Sequence, residues 1–320
     1  MTEHRLPTVL VFGEEPPVPL PRLVDRARVR VCDERTLPEL LPTADVLLVW
    51  DFGSDAARAA WPGGGRRPGW VHTASVGVDR VLCPELVTSP TLLTNARGVF
   101  EQPIAEYVAG LMLALAKDFP GSWEAQRRRH WRHRETQRVA GTRAVVVGAG
   151  PIGRAISATL GALGVAVTLV GRRARPDEGV RGAAELGELL PAADWVVCAA
   201  PLTEETRGMF DRAAFARMRP TARFVNVGRG PLVDQDELVA ALVERRIAGA
   251  ALDVFVQEPL AADDPLWDVP GLLVSPHMSG DTVGWRDELA RQFQDNYDRW
   301  VTGRPLFNVV DKRLGYVPVE

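Results

Sequence analysis

Short, nearly continuous apolar runs alternate along this chain with stretches whose apolar residues recur at helical spacing. In the first hundred residues such runs lie at 9–12, 29–32, 46–50, 70–73 and 92–94, separated by polar or Gly/Pro-rich connections such as Trp61-Pro62-Gly63-Gly64-Gly65. Runs of Val and Leu with little period-two alternation predict parallel strands covered on both faces, hence a small α/β sheet. A second series follows at 144–147, 165–170, 195–199, 224–227, 250–254 and 272–274, with helical patterns in most gaps, clearest at 236–245. This alternation predicts an open, doubly wound parallel sheet that binds ligands at the carboxyl ends of its strands.

Two helices stand apart from the alternation. After Glu101, Gln102 and Pro103, residues 104–116 are apolar almost all round. A helix without a polar face predicts burial on every side, between domains and against another subunit. The last helix, about 282–302, carries Trp285, Leu289, Phe293 and Trp300 on one face; Asp281 or Thr282 is the expected cap, and Gly303 and Pro305 follow its end.

A length of 320 residues makes two domains the expectation. With 46% hydrophobic residues and a net charge of -3, the composition is that of an ordinary globular protein, with no global pull toward nucleic acid or membrane. The run Met1 to Phe12 has no signal-peptide character and no apolar segment reaches transmembrane length, so the cytoplasm is the expected location. Cys32, Cys83 and Cys198 are too dispersed for a metal cluster or a disulfide framework and read as core residues in a reducing compartment. Lysine occurs only at Lys117 and Lys312, a skew ascribed to codon usage. The basic run 127–134 has Trp131 at its centre. It is short and sits in an acidic chain, which favours a solvated loop with Trp131 packed down over a nucleic-acid patch.

Candidate chemistry begins at Gly148-Ala149-Gly150-Pro151-Ile152-Gly153, which ends an apolar run and opens a helical pattern. In this G-x-G-x-x-G spacing Gly148 permits the tight turn, Gly150 lets backbone approach a pyrophosphate, and Gly153 lets the helix pack on the sheet. NAD-binding units usually place an acid about 20 residues further on, to bond the ribose 2′-OH. Here the strand ends Gly171-Arg172-Arg173. Guanidiniums suit a 2′-phosphate, so NADP(H) is expected in preference to NAD(H).

Three later strand ends carry an arginine (Asn226-Val227-Gly228-Arg229-Gly230), a carboxylate (Asp253 through Glu258-Pro259) and a histidine (Ser275-Pro276-His277). That set is what reduction of a 2-oxo acid requires. Arg229 can fork onto a carboxylate and carbonyl oxygen, His277 can donate a proton, and Glu258 can pair with His277 and fix its tautomer. His4, His72, His130 and His133 have no comparable setting and read as structural or exposed. In the first domain, Ser75-Val76-Gly77-Val78-Asp79 reads equally well as a carboxylate-binding turn and as a strand–helix turn capped by Asp79.

These motifs, with Pro201-Leu202-Thr203-Glu204-Glu205-Thr206 and Leu252-Asp253-Val254-Phe255, resemble those of the D-isomer-specific 2-hydroxyacid dehydrogenase family over nearly the full chain. Val49-Trp50, Gly171-Arg172-Arg173 and the tail 310–316 are similar to NADPH-dependent glyoxylate/hydroxypyruvate reductases within it.

The resemblance implies a Rossmann cofactor domain at 99–283 and a smaller flavodoxin-like α/β substrate domain built from 1–98 and 284–320. It implies hinges near 97–101 and 280–284, and a homodimer through the 104–116 region. By the same resemblance, Arg229, Glu258 and His277 are the catalytic set. Trp50, Val76 and Gly77 join Arg229 in binding a small 2-oxo acid, with the N–H groups of Val76 and Gly77 on its carboxylate. The glycine-rich motif, Arg172, Arg173, Pro201, Thr206, Val227, Gly228, Arg229, Asp253 and His277 bind the cofactor, with Asp253 near the nicotinamide carboxamide.

One departure is Met278-Ser279-Gly280-Asp281, where relatives carry small apolar residues. The rival readings are a nucleotide-sensing protein like the family's corepressors, and a phosphite or other dehydrogenase on the same scaffold. Formate-oxidising relatives have Gln where Glu258 stands, and phosphoglycerate dehydrogenases often add a C-terminal domain for which no room is expected after Glu320.

Overall fold

The computed structural model describes residues 5–13, 20–61 and 65–318. The predicted connection at Pro62-Gly63-Gly64 and His4 lie outside the described residues. The chain divides into two compact units, Met1–Val99 with Thr282–Glu320, and Phe100–Asp281.

In the first unit five strands, β1 (Thr8–Phe12), β2 (Arg28–Cys32), β3 (Val46–Val49), β4 (Trp70–Thr73) and β5 (Leu92–Thr94), form a parallel sheet in the order β2-β1-β3-β4-β5. Every residue of β1, β3 and β4 is buried, as continuous apolar runs require of central parallel strands. The edge strand departs from that expectation. Val29 and Val31 are 44% and 51% exposed, because β2 has one neighbour, and Arg28 and Arg30 charge the edge against further pairing.

The last helix is Trp285–Val301 and buries Leu289, Phe293 and Tyr297, with the Phe293 ring stacked on Trp70 at 5.2 Å between centroids. Its N-cap is Gly284 at φ 88, not Asp281 or Thr282. The chain enters through a turn from Thr282 O to Trp285 N that needs a left-handed residue.

Two polar side chains in this unit, one half-buried and one fully buried, have consequences for stability. The Nζ of Lys312 donates to three carbonyls, Leu86 O (2.9 Å), Ser89 O (2.6 Å) and Thr91 O (2.9 Å). A compact ammonium with three rotatable donors suits this cluster and a planar guanidinium does not. Lys312 therefore has a structural reason to escape the arginine bias.

His72, on β4, is fully buried; its Nδ1 lies 2.8 Å from Thr94 Oγ1, its Nε2 has no partner among the described residues, and burial pushes its pKa down to about 3. Between about pH 6.5 and 3 the unfolded chain binds a proton that the native imidazole refuses, so stability falls as pH drops through that window. Urea unfolding is expected to show a loss of about 2 kcal/mol from this group between pH 6.5 and 5. The variant His72→Phe should flatten that slope. An unchanged slope would assign the acid sensitivity elsewhere.

The second unit holds seven parallel strands: β6 (Arg143–Val147), β7 (Ala166–Gly171), β8 (Val180–Gly182), β9 (Trp195–Cys198), β10 (Arg223–Asn226), β11 (Gly249–Leu252) and β12 (Leu272–Val274). Their order is β12-β11-β10-β9-β6-β7-β8. From β6 the chain builds outward through β7 and β8, then returns to β9 on the other side, which places the topological switch point beside β6. The short strand β8 is absent from the sequence expectations, since Val-Arg-Gly is too brief for periodicity to register. Burial pushes the Cys198 thiol on β9 up to about 12, and all three cysteines are buried and unpaired.

Helix Glu101–Ala116 buries Ile104, Ala105, Val108, Ala109 and Met112 and packs on helix Pro151–Ala162. Burial on every side does not follow within the chain, because Gly110 is exposed and Leu111, Leu113 and Leu115 are half-buried. The basic run also differs from expectation. Arg127 ends a helix, Phe119–Arg127, and Arg134 is anchored by Asp118 Oδ2 (2.6 Å), Asp118 O (2.6 Å) and Ser122 Oγ (2.7 Å). Trp131 is 96% exposed, not packed down. Arg134 and Gln137, whose N–H meets Ala116 O at 3.0 Å, tie the segment back to the preceding helices.

Candidate active site

The glycine-rich motif follows β6 at the switch point. Gly148 sits at φ 119, and a Cβ there would meet Ala199 O at 2.4 Å. A Cβ on Gly153 would lie 1.6 Å from Gly148 O, so only glycine lets the helix start this close to the strand end. Around Gly150 nothing lies within 4 Å of a Cβ position. This open space, at the N-terminus of helix Pro151–Ala162 with its unsatisfied N–H groups, fits a pyrophosphate.

Arg172 and Arg173 are exposed beyond β7, and Arg172 Nη1 lies 3.9 Å from Glu205 Oε1. Glu205 belongs to the loop after β9, where the Thr206 hydroxyl donates to Pro201 O (2.7 Å) and accepts from Thr203 N–H (2.8 Å). A third arginine, not singled out by the sequence pattern, lies beside these two. Arg175 Nη2 donates to Ala149 O at 3.2 Å, inside the glycine-rich turn, and Glu178 pairs with both Arg175 and Arg154. The signal was present as the continuation Arg172-Arg173-Ala174-Arg175.

The arginine, carboxylate and histidine follow the neighbouring strands β10, β11 and β12. Asn226 is fully buried; its Oδ1 accepts from Gly228 N–H and its Nδ2 donates to Arg229 O, both at 3.0 Å, which fixes the turn bearing Arg229. Val227 is nearly buried, its N–H on Cys198 O at 3.0 Å. A Cβ on Gly230 would be 2.0 Å from the Phe255 carbonyl carbon, so this turn lies directly on the loop that carries Glu258. Arg229 is half-buried, with Nη1 donating to Gly228 O at 2.9 Å.

Glu258 is held from both ends. Its Oε1 accepts from Phe255 N–H at 2.8 Å, and its Oε2 lies 2.8 Å from His277 Nδ1. With Nδ1 on the carboxylate, Nε2 is left as the ring position for proton transfer. The His277 side chain is 39% exposed and its backbone is left-handed, at φ 51.

Asp253 is tied into the segment that carries His277. It is fully buried; Oδ1 accepts from Ser275 Oγ and from Met278 N–H (2.9 Å), and Oδ2 from Ser279 N–H (3.0 Å). Its carboxylate is committed to the segment around His277. The atypical segment has local reasons too. Ser279 turns inward, and a Cβ on Gly280 would come within 2.6 Å of the Phe100 ring.

In the first unit, Trp50 follows β3 and Ser75-Val76-Gly77 follows β4, its sheet neighbour. Ser75 Oγ donates to Gly77 O (2.6 Å) and Asn95 Nδ2 to Val76 O (2.7 Å), so both carbonyls are tied back. The N–H groups of Val76 and Gly77 have no acceptor among the described residues, which suits a turn awaiting an anion. The capping alternative fails, since the next helix is Pro84–Thr88 and its N-cap is Cys83. Trp50 is 8% exposed and packs its Cβ 3.4 Å from the Cβ position of Gly13.

Known proteins resemble this chain over most of its length. Residues 109–279 match the family model described as D-isomer specific 2-hydroxyacid dehydrogenase, NAD binding domain. Glyoxylate/hydroxypyruvate reductase A of Arabidopsis thaliana is 31% identical over 243 residues, covering 75% of this chain and 77% of that protein. Glyoxylate/hydroxypyruvate reductase B of Citrobacter koseri is 34% identical over 256 residues, covering 76% and 78%. The crystal structure of an NADPH-dependent glyoxylate/hydroxypyruvate reductase from Sinorhizobium meliloti, in complex with NADP and sulfate, matches with a TM-score of 0.80 at 26% identity, covering 98% of this chain and all of that one. With its NAD-binding unit and its strand-end arginine, glutamate and histidine, the chain belongs to the D-isomer specific 2-hydroxyacid dehydrogenase family.

Proposed function

We propose that the chain is an NADP(H)-dependent reductase of small 2-oxo acids, of the glyoxylate/hydroxypyruvate type, with Phe100–Asp281 as its dinucleotide domain and the other unit as its substrate domain. The observation that carries the reading is the His277–Glu258 pair at 2.8 Å, with Glu258 on the loop against which the Arg229 turn rests. Arg229 forks onto the substrate's carboxylate and carbonyl oxygen and orients the carbonyl carbon. The Val76–Gly77 turn offers two N–H donors to a carboxylate. A bound reduced nicotinamide supplies the hydride. His277, protonated, gives its Nε2 proton to the carbonyl oxygen as that oxygen becomes a hydroxyl, and Glu258 holds the imidazole throughout.

The test is oxidation of NADPH, and separately of NADH, by purified protein with glyoxylate, hydroxypyruvate, pyruvate and longer 2-oxo acids. Turnover with at least one acid is expected. A protein that binds NADPH and consumes none would be a sensor instead.

Cofactor choice supplies a second expected result. Arg172 and Arg173, with Arg175 behind them, favour the 2′-phosphate dianion. Arg172→Asp should lower kcat/KM for NADPH by about tenfold or more while leaving that for NADH nearly unchanged. Equal kcat/KM values for the two cofactors in the unaltered protein would contradict the assignment.

The homodimer reading rests on exposed apolar surface in one region. Beyond the half-buried Leu111, Leu113 and Leu115, the helix and loop that follow expose Phe119, Trp123 and Trp131. Apolar side chains concentrated this way mark an interaction surface. Analytical ultracentrifugation should give about twice the 35.0 kDa chain mass, and Trp131→Arg with Trp123→Arg should shift the protein toward monomer. A monomer at micromolar concentration would remove the proposal. No helix among the described residues is long and apolar enough to cross a membrane, and the unpaired thiols suit a cytoplasmic setting.

A further inference from the structure

Behind the His277–Glu258 pair runs a buried polar chain that ends on a helix. Tyr107 lies on helix Glu101–Ala116, and its hydroxyl is 2.7 Å from Ser275 Oγ. Ser275 follows β12, is 4% exposed, and donates its own proton to Asp253 Oδ1. A serine hydroxyl has one proton to give. The Tyr107–Ser275 bond therefore runs from the tyrosine O–H to the serine oxygen, and the chain has one direction: Tyr107 to Ser275 to Asp253.

What Asp253 does with its remaining capacity ties this chain to the chemistry. It accepts the N–H groups of Met278 (2.9 Å) and Ser279 (3.0 Å), the two residues directly after His277. His277 itself is at φ 51, a left-handed conformation that costs a non-glycine residue about 1 kcal/mol or more and persists only where its surroundings impose it. On one side of His277 its own N–H meets Ser275 O at 3.1 Å; on the other, Asp253 grips the next two amides. The imidazole is thus aimed by a backbone turn whose two ends meet at Ser275 and Asp253, and Tyr107 ties that junction to a sixteen-residue helix.

We propose that Tyr107 is a positioning residue for proton donation, holding through Ser275 and Asp253 the backbone turn that aims His277. The proposal rests on His277 being the proton donor. In Tyr107→Phe the ring remains and the bond to Ser275 is lost. Ser275 keeps its bond to Asp253 but loses the donor that ties it to the helix, and the turn samples a wider range of geometries. A donor displaced by a fraction of an ångström costs rate without costing affinity.

The experiment is a double-variant cycle of Tyr107→Phe and Ser275→Ala, read by steady-state kinetics, by NADPH titration and by hydrogen exchange at the Met278 and Ser279 amides. Each single variant is expected to lower kcat about tenfold, with the 2-oxo acid KM and the NADPH Kd within about twofold, and to speed exchange at both amides. The double variant should match the weaker single variant rather than multiply the losses, since both cut one chain. Ser275→Thr keeps the hydroxyl and should keep kcat within about twofold. Unchanged kcat and exchange in Tyr107→Phe would overturn the proposal, as would losses that multiply or an equal loss in cofactor affinity. If the unaltered protein turns over no 2-oxo acid but both variants still speed exchange at these amides, the positioning role stands and the reductase reading falls.

Discussion

His277→Ala is expected to lower kcat by about two to four orders of magnitude, the range for loss of a positioned general acid. The substrate KM should move little, because the imidazole acts chiefly when charge develops on the carbonyl oxygen. Glu258→Gln should cost less. The amide side chain still accepts from Phe255 N–H, so the loop keeps its anchor, while His277 loses a charged partner at 2.8 Å. Steady-state kinetics with NADPH and the best 2-oxo acid measures both. Near-normal turnover in the alanine variant would mean that another group delivers the proton.

Arg229→Ala should lower kcat/KM by about a thousandfold, about 4 kcal/mol of transition-state stabilisation, through both kcat and KM. On the proposed binding mode, two parallel hydrogen bonds to carboxylate and carbonyl would be lost together, and with them the alignment of the carbonyl carbon. Arg229→Lys should recover little, since an ammonium cannot reproduce a planar fork. The turn itself is held by Asn226 and by the contact of Gly230 with Phe255, so the loss is not one of local folding. Rates for Arg229→Lys within tenfold of the unaltered protein would show that charge alone is read there.

Much of this architecture was legible from local pattern. Central parallel strands must be apolar throughout, and eleven of the twelve strands of the two sheets stood where such runs stood. The glycines of the 148–153 motif were legible because their conformational demands are local: a positive φ at Gly148 and a backbone collision at Gly153. Spacing also flagged Arg229, Glu258 and His277, each placed just past a strand end, where parallel sheets keep their chemistry.

Other features depended on partners far along the chain. The segment around the exposed Trp131 is anchored at Asp118 and Ala116, more than a dozen residues back. Lys312 is set by carbonyls more than two hundred residues away, and no local rule distinguishes such a lysine from a surface one. Arg175 reached the glycine-rich turn only because β7 and β6 are neighbours. Asp253 is enclosed by Ser275, Met278 and Ser279, residues of the next strand end that its own segment does not announce.

By itself, then, the amino-acid order determined which segments become strands and helices, where the phosphate-binding turn falls, and which side chains carry reactive groups. Those properties follow from backbone sterics and from apolar periodicity, which act over a few residues. The tertiary structure alone decided which reactive groups are aimed outward and which are consumed as scaffolding, because that depends on the hydrogen-bond partners that strand register brings together. Asp253 and His277 lie on neighbouring strand ends. Asp253 is fully buried there, and the His277 side chain is 39% exposed.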